Sequence, residues 1–427
     1  MKVAIIGSGI LGVTCAYFLN KHGIDVTVFE KECEPALGAS YGNAGYLQAG
    51  VPDPWNAPGA FMMLVKALSN SLTGKGDQSA FSAPIQALPG LMAWGLKFLR
   101  HSNQRTFLNH LIKNRNLAQY TSHVMAAIDE TEQLSYCQSK PGSLIIFRDQ
   151  AALDSYARTA DYAAGYGAQM QLLDREALLQ TESSLNSATG NLVGAVYYPE
   201  DYAGNSRLFC NQMVSISRSN GVCYRFETTA DRIIATNNRV KIRLKNNADV
   251  IADAVVIAAG VHSRKIAATA GIAVAVAPAK GYSISVPTQG WANPPKHIIA
   301  DMAIHAGFNP LGDVLRVAGT AEFCGLNKTG ISAARTQYMT QLVAENFPAF
   351  ASSINPEHID PWGGFRPLSA DGLPFIGESH VRNVYLNTGH SGLGWTQGAG
   401  SAKVLADLIA GMRPEIKIGD YDAQRLV

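Results

Sequence analysis

Residues 3–6 form a continuous apolar run of strand length, and the six residues Gly7-Ser8-Gly9-Ile10-Leu11-Gly12 interrupt it. From there to Lys21 the apolar positions recur at helical spacing, with Gly23 marking the stop. A second apolar strand, Asp25–Phe29, ends at Glu30. The same order of strand, glycine turn and helix returns near the C-terminus in NVYLNTGHSGLGWTQGAGSAKVLADLI, and a third buried strand over 255–258 runs into Ala259-Gly260. Between them, GNSRLFCNQMVSISRSNG from Gly204 predicts a helix capped by Asn205 or Ser206 and closed by Gly221. The strands VCYRFET and VKIRLKN that follow suit the same sheet, whereas HIIADMAIHAGF and VLRVAGTAEF alternate as adjacent strands of an antiparallel one. GAFMMLVKALSNSL from Gly59 and LPGLMAWGLKFLRHS from Leu88 have helical patterns rich in large apolar residues, with Lys66, Lys97 and Arg100 beside them. Such a pattern suits a helix packed on its own domain or one lying in a membrane interface.

The first turn has the spacing of a dinucleotide cradle. Gly7 permits the tight turn, Gly9 lets the backbone approach a pyrophosphate, and Gly12 lets the helix pack on the sheet, with the phosphates at the helix N-terminus. Ile10 and Leu11 lie inside that cradle. Glu30, with Lys31 next to it, stands eighteen residues beyond Gly12, where a carboxylate accepts from ribose hydroxyls. An acidic strand end serves FAD or NAD equally. GASYGNAGYLQAG supplies a second run of small residues, including Ser40, Asn43, Ala44 and Gly45, where a longer cofactor would continue. Gly389, Gly392, Leu393, Gly394, Trp395 and Thr396 bring further backbone N–H groups toward the same ligand.

With 427 residues, 47% of them hydrophobic, the chain has ample core for two to three domains at the usual ~150 residues each. A formal charge of +2 with no Lys/Arg block argues against nucleic acid as a partner. The six cysteines form no Cys-x-x-Cys pair, and neither a metal site nor a disulfide framework is expected, which favours a reducing, cytoplasmic compartment. The opening stretch lacks a basic n-region, and no run reaches the roughly 18 apolar residues of a spanning helix. Asp201, Asp301 and Asp371 are isolated acids without a motif of their own, and His305 reads as structural.

GSGILG, GNAG with PW and APG following, KGYSISVP at Lys280, GFRPLSADGLPFIG at Gly364 and NTGHSGLGWT at Asn387 together resemble the FAD-dependent D-amino acid dehydrogenase (small subunit) family of the D-amino-acid oxidase superfamily. The resemblance runs almost end to end and departs from the family wording in GYLQAG at Gly45. It implies an α/β fold in which a discontinuous Rossmann-like FAD-binding domain (1–58, 190–265 and 358–427) joins an α+β substrate domain with a mostly antiparallel sheet (59–189 and 266–357). It also implies non-covalent FAD and hydride transfer from the α-carbon of a D-amino acid to the flavin. The imino acid left behind hydrolyses, and electrons pass to a quinone or other carrier, with peripheral contact at the inner face of the cell membrane. Arg366 is the implied carboxylate anchor, its planar fork matching both oxygens. Tyr282 is expected to line the substrate cavity and His390 to lie beside the flavin, while Lys280 is either near the flavin or a solvated strand end. Oxidation of secondary or small amines (D-proline, D-hydroxyproline, sarcosine, glycine), with oxygen as acceptor, fits the same motifs. A non-enzymatic nucleotide-binding module would leave the two C-terminal motifs unexplained.

Overall fold

Val3 and Ile5 are buried in one hydrophobic core, and their neighbours Ala4 and Ile6 in another. A strand with period-two side chains has this pattern when both faces of its sheet are covered. In the computed structural model, which describes residues 1–326 and 328–425, this strand, Lys2–Ile6, stands between Asp25–Phe29 and Ala254–Ile257 in a six-stranded sheet. Cys223–Arg225 continues the sheet on one side, and Val384–Thr388 and Phe375–Glu378 continue it on the other. All pairs are parallel except the last.

Helices Ile10–Lys21, Ser206–Ser219 and Gly394–Ile409 cover one face. Asn205 caps the second of these, its Oδ1 accepting from the N–H groups of Arg207 and Leu208, so Asn205 and not Ser206 fills the capping position. A separate three-stranded antiparallel sheet, Ala230–Ala235, Val240–Leu244 and Asp249–Ala252, covers the other face through Ile233, Val240 and Ile242. VKIRLKN therefore lies in this small sheet, where only alternate residues need cover, and not in the parallel one.

The second large sheet has nine strands. Its order is Asp360–Ser369, Val276–Pro287, Val314–Glu322, Ala306–Leu311, Ile298–Asp301, Ser143–Phe147, Gly194–Tyr198 and Gln171–Asp174, with Phe81–Ser82 added beside Val314–Glu322. Pairing is antiparallel except at Ile298–Asp301 with Ser143–Phe147 and at the short added strand. HIIADMAIHAGF is two strands and not one, because the chain reverses over 302–305 with His305 at φ +50°. Gly194–Tyr198 and Asp360–Ser369 fall within the ranges expected for the nucleotide-binding domain, yet both pair in this second sheet. The chain thus changes sheets between Tyr198 and Cys223, and again between Ser369 and Phe375.

One face of the nine-stranded sheet packs on helix Ala333–Asn346 through Ile284, Val286, Val317, Met339 and Leu342. The other face meets the six-stranded half of the molecule, and the functional residues gather there.

Candidate functional site

The glycine cradle is built by close backbone contacts. A Cβ at Gly12 would stand 1.9 Å from the Gly7 carbonyl oxygen, and one at Gly7, where φ is +105°, would stand 2.6 Å from the Ala258 oxygen. Only glycine lets these segments meet. At Gly9 the same construction meets nothing nearer than Ser40 Oγ at 3.4 Å, an ordinary van der Waals contact. Helix Ile10–Lys21 starts there with no side-chain cap. Ile10 N is taken by Ser40 Oγ (3.1 Å), and the rest of the first turn offers its N–H groups and a positive dipole end to a phosphate. Glu30 Oε2 accepts from the Ser8 N–H (2.7 Å) and hydroxyl (2.8 Å), and Oε1 accepts from Glu32 N (3.0 Å). A carboxylate has about four acceptor positions, so one remains for a ribose hydroxyl. Lys31 pairs with Glu32 at 2.7 Å.

The GNAG segment is held from the nine-stranded sheet by three donors in succession. Ser283 Oγ donates to the Gly42 carbonyl (2.6 Å), Arg316 Nη1 to that of Asn43 (2.9 Å), and Asn309 Nδ2 to that of Ala44 (2.8 Å). Asn43 closes the turn by accepting from Gly45 N and donating to Ser206 Oγ. Ser40 accepts at Oγ from Ile10 N and at its carbonyl from Ser206 Oγ. Residues 40–45 are thereby tied to the cradle at one end and to the sheet at the other. Sequence reasoning missed Ser283, Arg316 and Asn309, because their partners lie more than 240 positions away.

The C-terminal glycine turn closes the other side. Gly389 has φ +76°, helix Gly394–Ile409 begins at Leu393 without a side-chain cap, and Thr396 Oγ1 accepts from Gln48 N (3.1 Å). A Cβ at Gly392 would stand 3.0 Å from Trp55 Nε1. Gly260, at φ +53°, presents its carbonyl to Thr388, next to Ala259 at the strand end. The Trp395 ring lies inside the core, edge-on to Phe209 and Tyr136, so it is the backbone at Trp395 that belongs to the helix N-terminus. Two helix N-termini whose N-cap residues supply no side-chain cap, a glycine turn and an acidic strand end suit the pyrophosphate and ribose of FAD.

His390 is buried, with Nε2 against Ser401 Oγ (3.0 Å) and Nδ1 without a partner among the described residues. Burial, aided by the charge of Arg425, pushes its pKa down to about 3. The imidazole is neutral at ordinary pH and has no proton to give as a cation. In the unfolded chain it titrates near 6.5, so between these values only the unfolded state binds the proton. Its contribution to stability is complete above about pH 6.5 and is lost as the pH falls toward 3, on the order of 2 kcal/mol by about pH 5. Thermal unfolding of the wild type and His390→Gln, each near pH 7.5 and near pH 5, tests this. The wild type should lose more on acidification, and equal losses would exclude the effect.

Arg366 is the expected carboxylate anchor. Its Nη1 donates to the Thr320 carbonyl (2.9 Å), and its guanidinium lies 5.5 Å from the Trp55 ring centre. No carboxylate pairs with it among the described residues. Burial lowers its pKa to about 10, which leaves it charged at neutral pH. Gly281 makes the room, since a Cβ there would stand 2.1 Å from Nη1. Tyr282, one residue on, projects from the opposite face, where its hydroxyl donates to Glu322 (2.9 Å) and Arg335 lies over its ring. Lys280 shares that face, and its ammonium donates to the carbonyls of Lys328 and Gly330. The structure brings Arg366 and the glycine turns together and leaves Tyr282 and Lys280 behind the sheet.

Arg366, Tyr46, Asp53 and Tyr156 are each surrounded by protein, yet each keeps some accessible surface. Side chains that line an internal space behave in this way. Asp201, noted in the sequence only as an isolated acid, ties residues 46–50 to Ser143. It accepts from Tyr46 OH (2.7 Å), Ser143 Oγ (2.6 Å), Ala49 N (2.7 Å) and Gly50 N (2.8 Å).

Comparison with known proteins agrees with this geometry. The family described as DAO, FAD dependent oxidoreductase, matches residues 2–408. A D-amino acid dehydrogenase of Allorhizobium ampelinum is 32% identical over 429 residues, covering 100% of this chain and 98% of that protein. D-amino acid dehydrogenase 2 of Mesorhizobium japonicum is 33% identical, with coverage of 97% and 98%. Among solved structures, glycine oxidase from Geobacillus kaustophilus superposes with a TM-score of 0.76 at 20% identity, covering 100% of this chain and 98% of that one. This agreement shows the fold. The chain belongs to the DAO family of FAD-dependent oxidoreductases.

Proposed function

We propose that the protein oxidises D-amino acids, with Arg366 as the anchor of the substrate carboxylate and residues 7–12, Glu30, 40–45 and 389–396 as the seat of non-covalently bound FAD. The observation that carries this reading is a guanidinium largely enclosed by protein with no carboxylate partner among the described residues. An unpaired buried cation is costly, and an anionic ligand relieves the cost. Bound FAD supplies the acceptor for the hydride that leaves the α-carbon. The chain's own task is to fix the carboxylate, hold the α-carbon in one orientation and keep bulk water away. No residue is needed to remove a proton from carbon, and with His390 neutral the substrate amine must arrive unprotonated or lose its proton to water. Anaerobic mixing with D- and L-amino acids, D-proline, D-hydroxyproline, sarcosine and glycine tests the reading. Loss of visible flavin absorbance with a D-amino acid and not with its L-form supports it, and no loss with any D-amino acid refutes it.

We also propose that electrons leave to a quinone or other carrier at a membrane surface. Helices Ala60–Leu72 and Leu88–His101 bury Ala60, Ala67, Trp94 and Phe98. They expose larger apolar groups, with Phe61 at 61%, Met62 at 65%, Met92 at 64% and Leu96 at 70%. Lys66, Lys97 and Arg100 are exposed on the same helices. An apolar surface rimmed by cations suits the interface of an anionic bilayer. Among the described residues no helix is long and apolar enough to cross a membrane, so the contact would be peripheral. The wild type should float with vesicles containing anionic lipid, and a Met92→Glu, Leu96→Glu double variant should remain at the bottom of the gradient. A wild type that also stays at the bottom excludes the membrane face. Faster reduction of a quinone analogue than of oxygen would support the proposed acceptor.

A further inference from the structure

Asp53 lies in the segment that joins Gly50 to Trp55. Upstream, Gly50 packs so closely on Tyr198 that a Cβ would meet the ring at 2.5 Å. Two residues downstream, Trp55 lies against the Arg366 guanidinium. Asp53 and Tyr46 both act electrostatically on Tyr156, which also interacts with Tyr198, so these four side chains share one neighbourhood. Asp53 Oδ1 is buried and has no hydrogen-bond partner among the described residues. No cation pairs with this carboxyl among the described residues, and burial alone lifts its pKa to about 7. Val51, two residues before it, packs in an apolar cluster with Ile145 and Met302.

An unmatched acceptor beside an apolar cluster has a definite complement. The ligand group must donate hydrogen bonds, carry positive charge, and hang on a stem of methylenes that can lie along apolar side chains. Basic amino-acid side chains have that form. We propose that Asp53 is a specificity-determining residue that receives the cationic end of the substrate side chain, making amino acids with basic side chains the preferred substrates. This inference rests on the reading of the protein as an amino acid oxidoreductase with Arg366 at the carboxylate. The two anchors then grip opposite ends of the substrate, and a neutral or acidic side-chain end leaves Asp53 unmatched or repelled.

D-lysine and D-norleucine differ chiefly in whether the side chain ends in an ammonium or a methyl group. Flavin reduction kinetics with D-alanine, D-norleucine, D-lysine, D-arginine and D-glutamate therefore isolate the effect. The wild type is expected to favour D-lysine over D-norleucine in kcat/KM by at least about tenfold, as a charge-assisted hydrogen bond supplies, with D-glutamate poorest. In Asp53→Asn the ratio of D-lysine to D-norleucine should fall toward unity. A wild type that prefers D-norleucine or D-glutamate, or a ratio unmoved in Asp53→Asn, overturns the inference while leaving amino acid oxidation intact. If the variant fails to retain flavin, the wild-type comparison decides alone. Failure of every D-amino acid, D-alanine included, to reduce the flavin removes both readings together.

Discussion

Replacing Arg366 by leucine is expected to lower kcat/KM for amino acid substrates by about 10³-fold, with flavin content preserved. Each charge-assisted hydrogen bond contributes about 1.5–3 kcal/mol, and a carboxylate held by a planar fork makes two of them, so a loss of about 4 kcal/mol follows at ~1.4 kcal/mol per tenfold change. The guanidinium is charged at neutral pH despite its enclosure, and its one hydrogen bond among the described residues, to the Thr320 carbonyl, leaves most of its donors for a ligand. Arg366→Lys keeps the charge and loses the fork, so its activity should fall between the two. Gly281→Ala supplies an independent check. The added Cβ would stand 2.1 Å from Nη1, which forces the guanidinium out of place without removing it. Steady-state kinetics across the three variants, with the flavin-to-protein absorbance ratio recorded for each, test the assignment. An Arg366→Leu enzyme within tenfold of wild type would remove the arginine from the carboxylate site.

The pairing of Gly281 with Arg366 also marks where the sequence stops being informative. The cradle at Gly7, Gly9 and Gly12 is legible because all of its contacts are local or fall at a strand end of known type, and Glu30 follows at a fixed distance. The face of a strand is different. Strand Val276–Pro287 pairs with Asp360–Ser369 in a register that sets Ala279 opposite Arg366 and Gly281 opposite Gly364. That register puts Gly281 on the cavity side and sends Tyr282 and Lys280 to the side of helix Ala333–Asn346. Nothing in KGYS reveals which parity faces the ligand, since both faces are buried and neither is polar throughout. A hydroxyl looked more useful than a glycine, and the glycine is the residue that makes room for the arginine.

A similar argument applies to the turn inside HIIADMAIHAGF. The reversal occurs at Met302, Ala303, Ile304 and His305, which include no glycine or proline, so the usual punctuation is missing. Asp201 and Asp53 escaped notice for another reason. One is recognised by four donors from two separate segments, the other by a buried oxygen without a donor among the described residues, and both facts exist only after folding. Buried acids of this kind have no motif.

Asp201→Ala should destabilise the protein by about 3 kcal/mol and loosen its hold on FAD. Removing the carboxylate takes the acceptor from the N–H groups of Ala49 and Gly50, both buried, and each orphaned donor costs about 1–3 kcal/mol. Tyr46 OH and Ser143 Oγ lie 2.8 Å apart and can satisfy one another in part, so the main cost falls on the backbone. Part of the loss is offset, because burial already raises the Asp201 carboxyl above its ordinary range in spite of four donors, and that desolvation disappears with the side chain. Asp201→Asn keeps one oxygen for the two N–H groups and should cost less than half as much. The functional consequence follows from connectivity. Residues 46–50 run from the GNAG segment to Gln48, whose N–H reaches Thr396 at the start of helix Gly394–Ile409, so freeing them loosens two sides of the cofactor seat at once. Thermal unfolding of the apo and FAD-loaded proteins separates the two effects. If Asp201→Ala lowers both transitions equally, the latch serves stability alone, and a larger drop with FAD bound shows that Asp201 also holds the seat in shape.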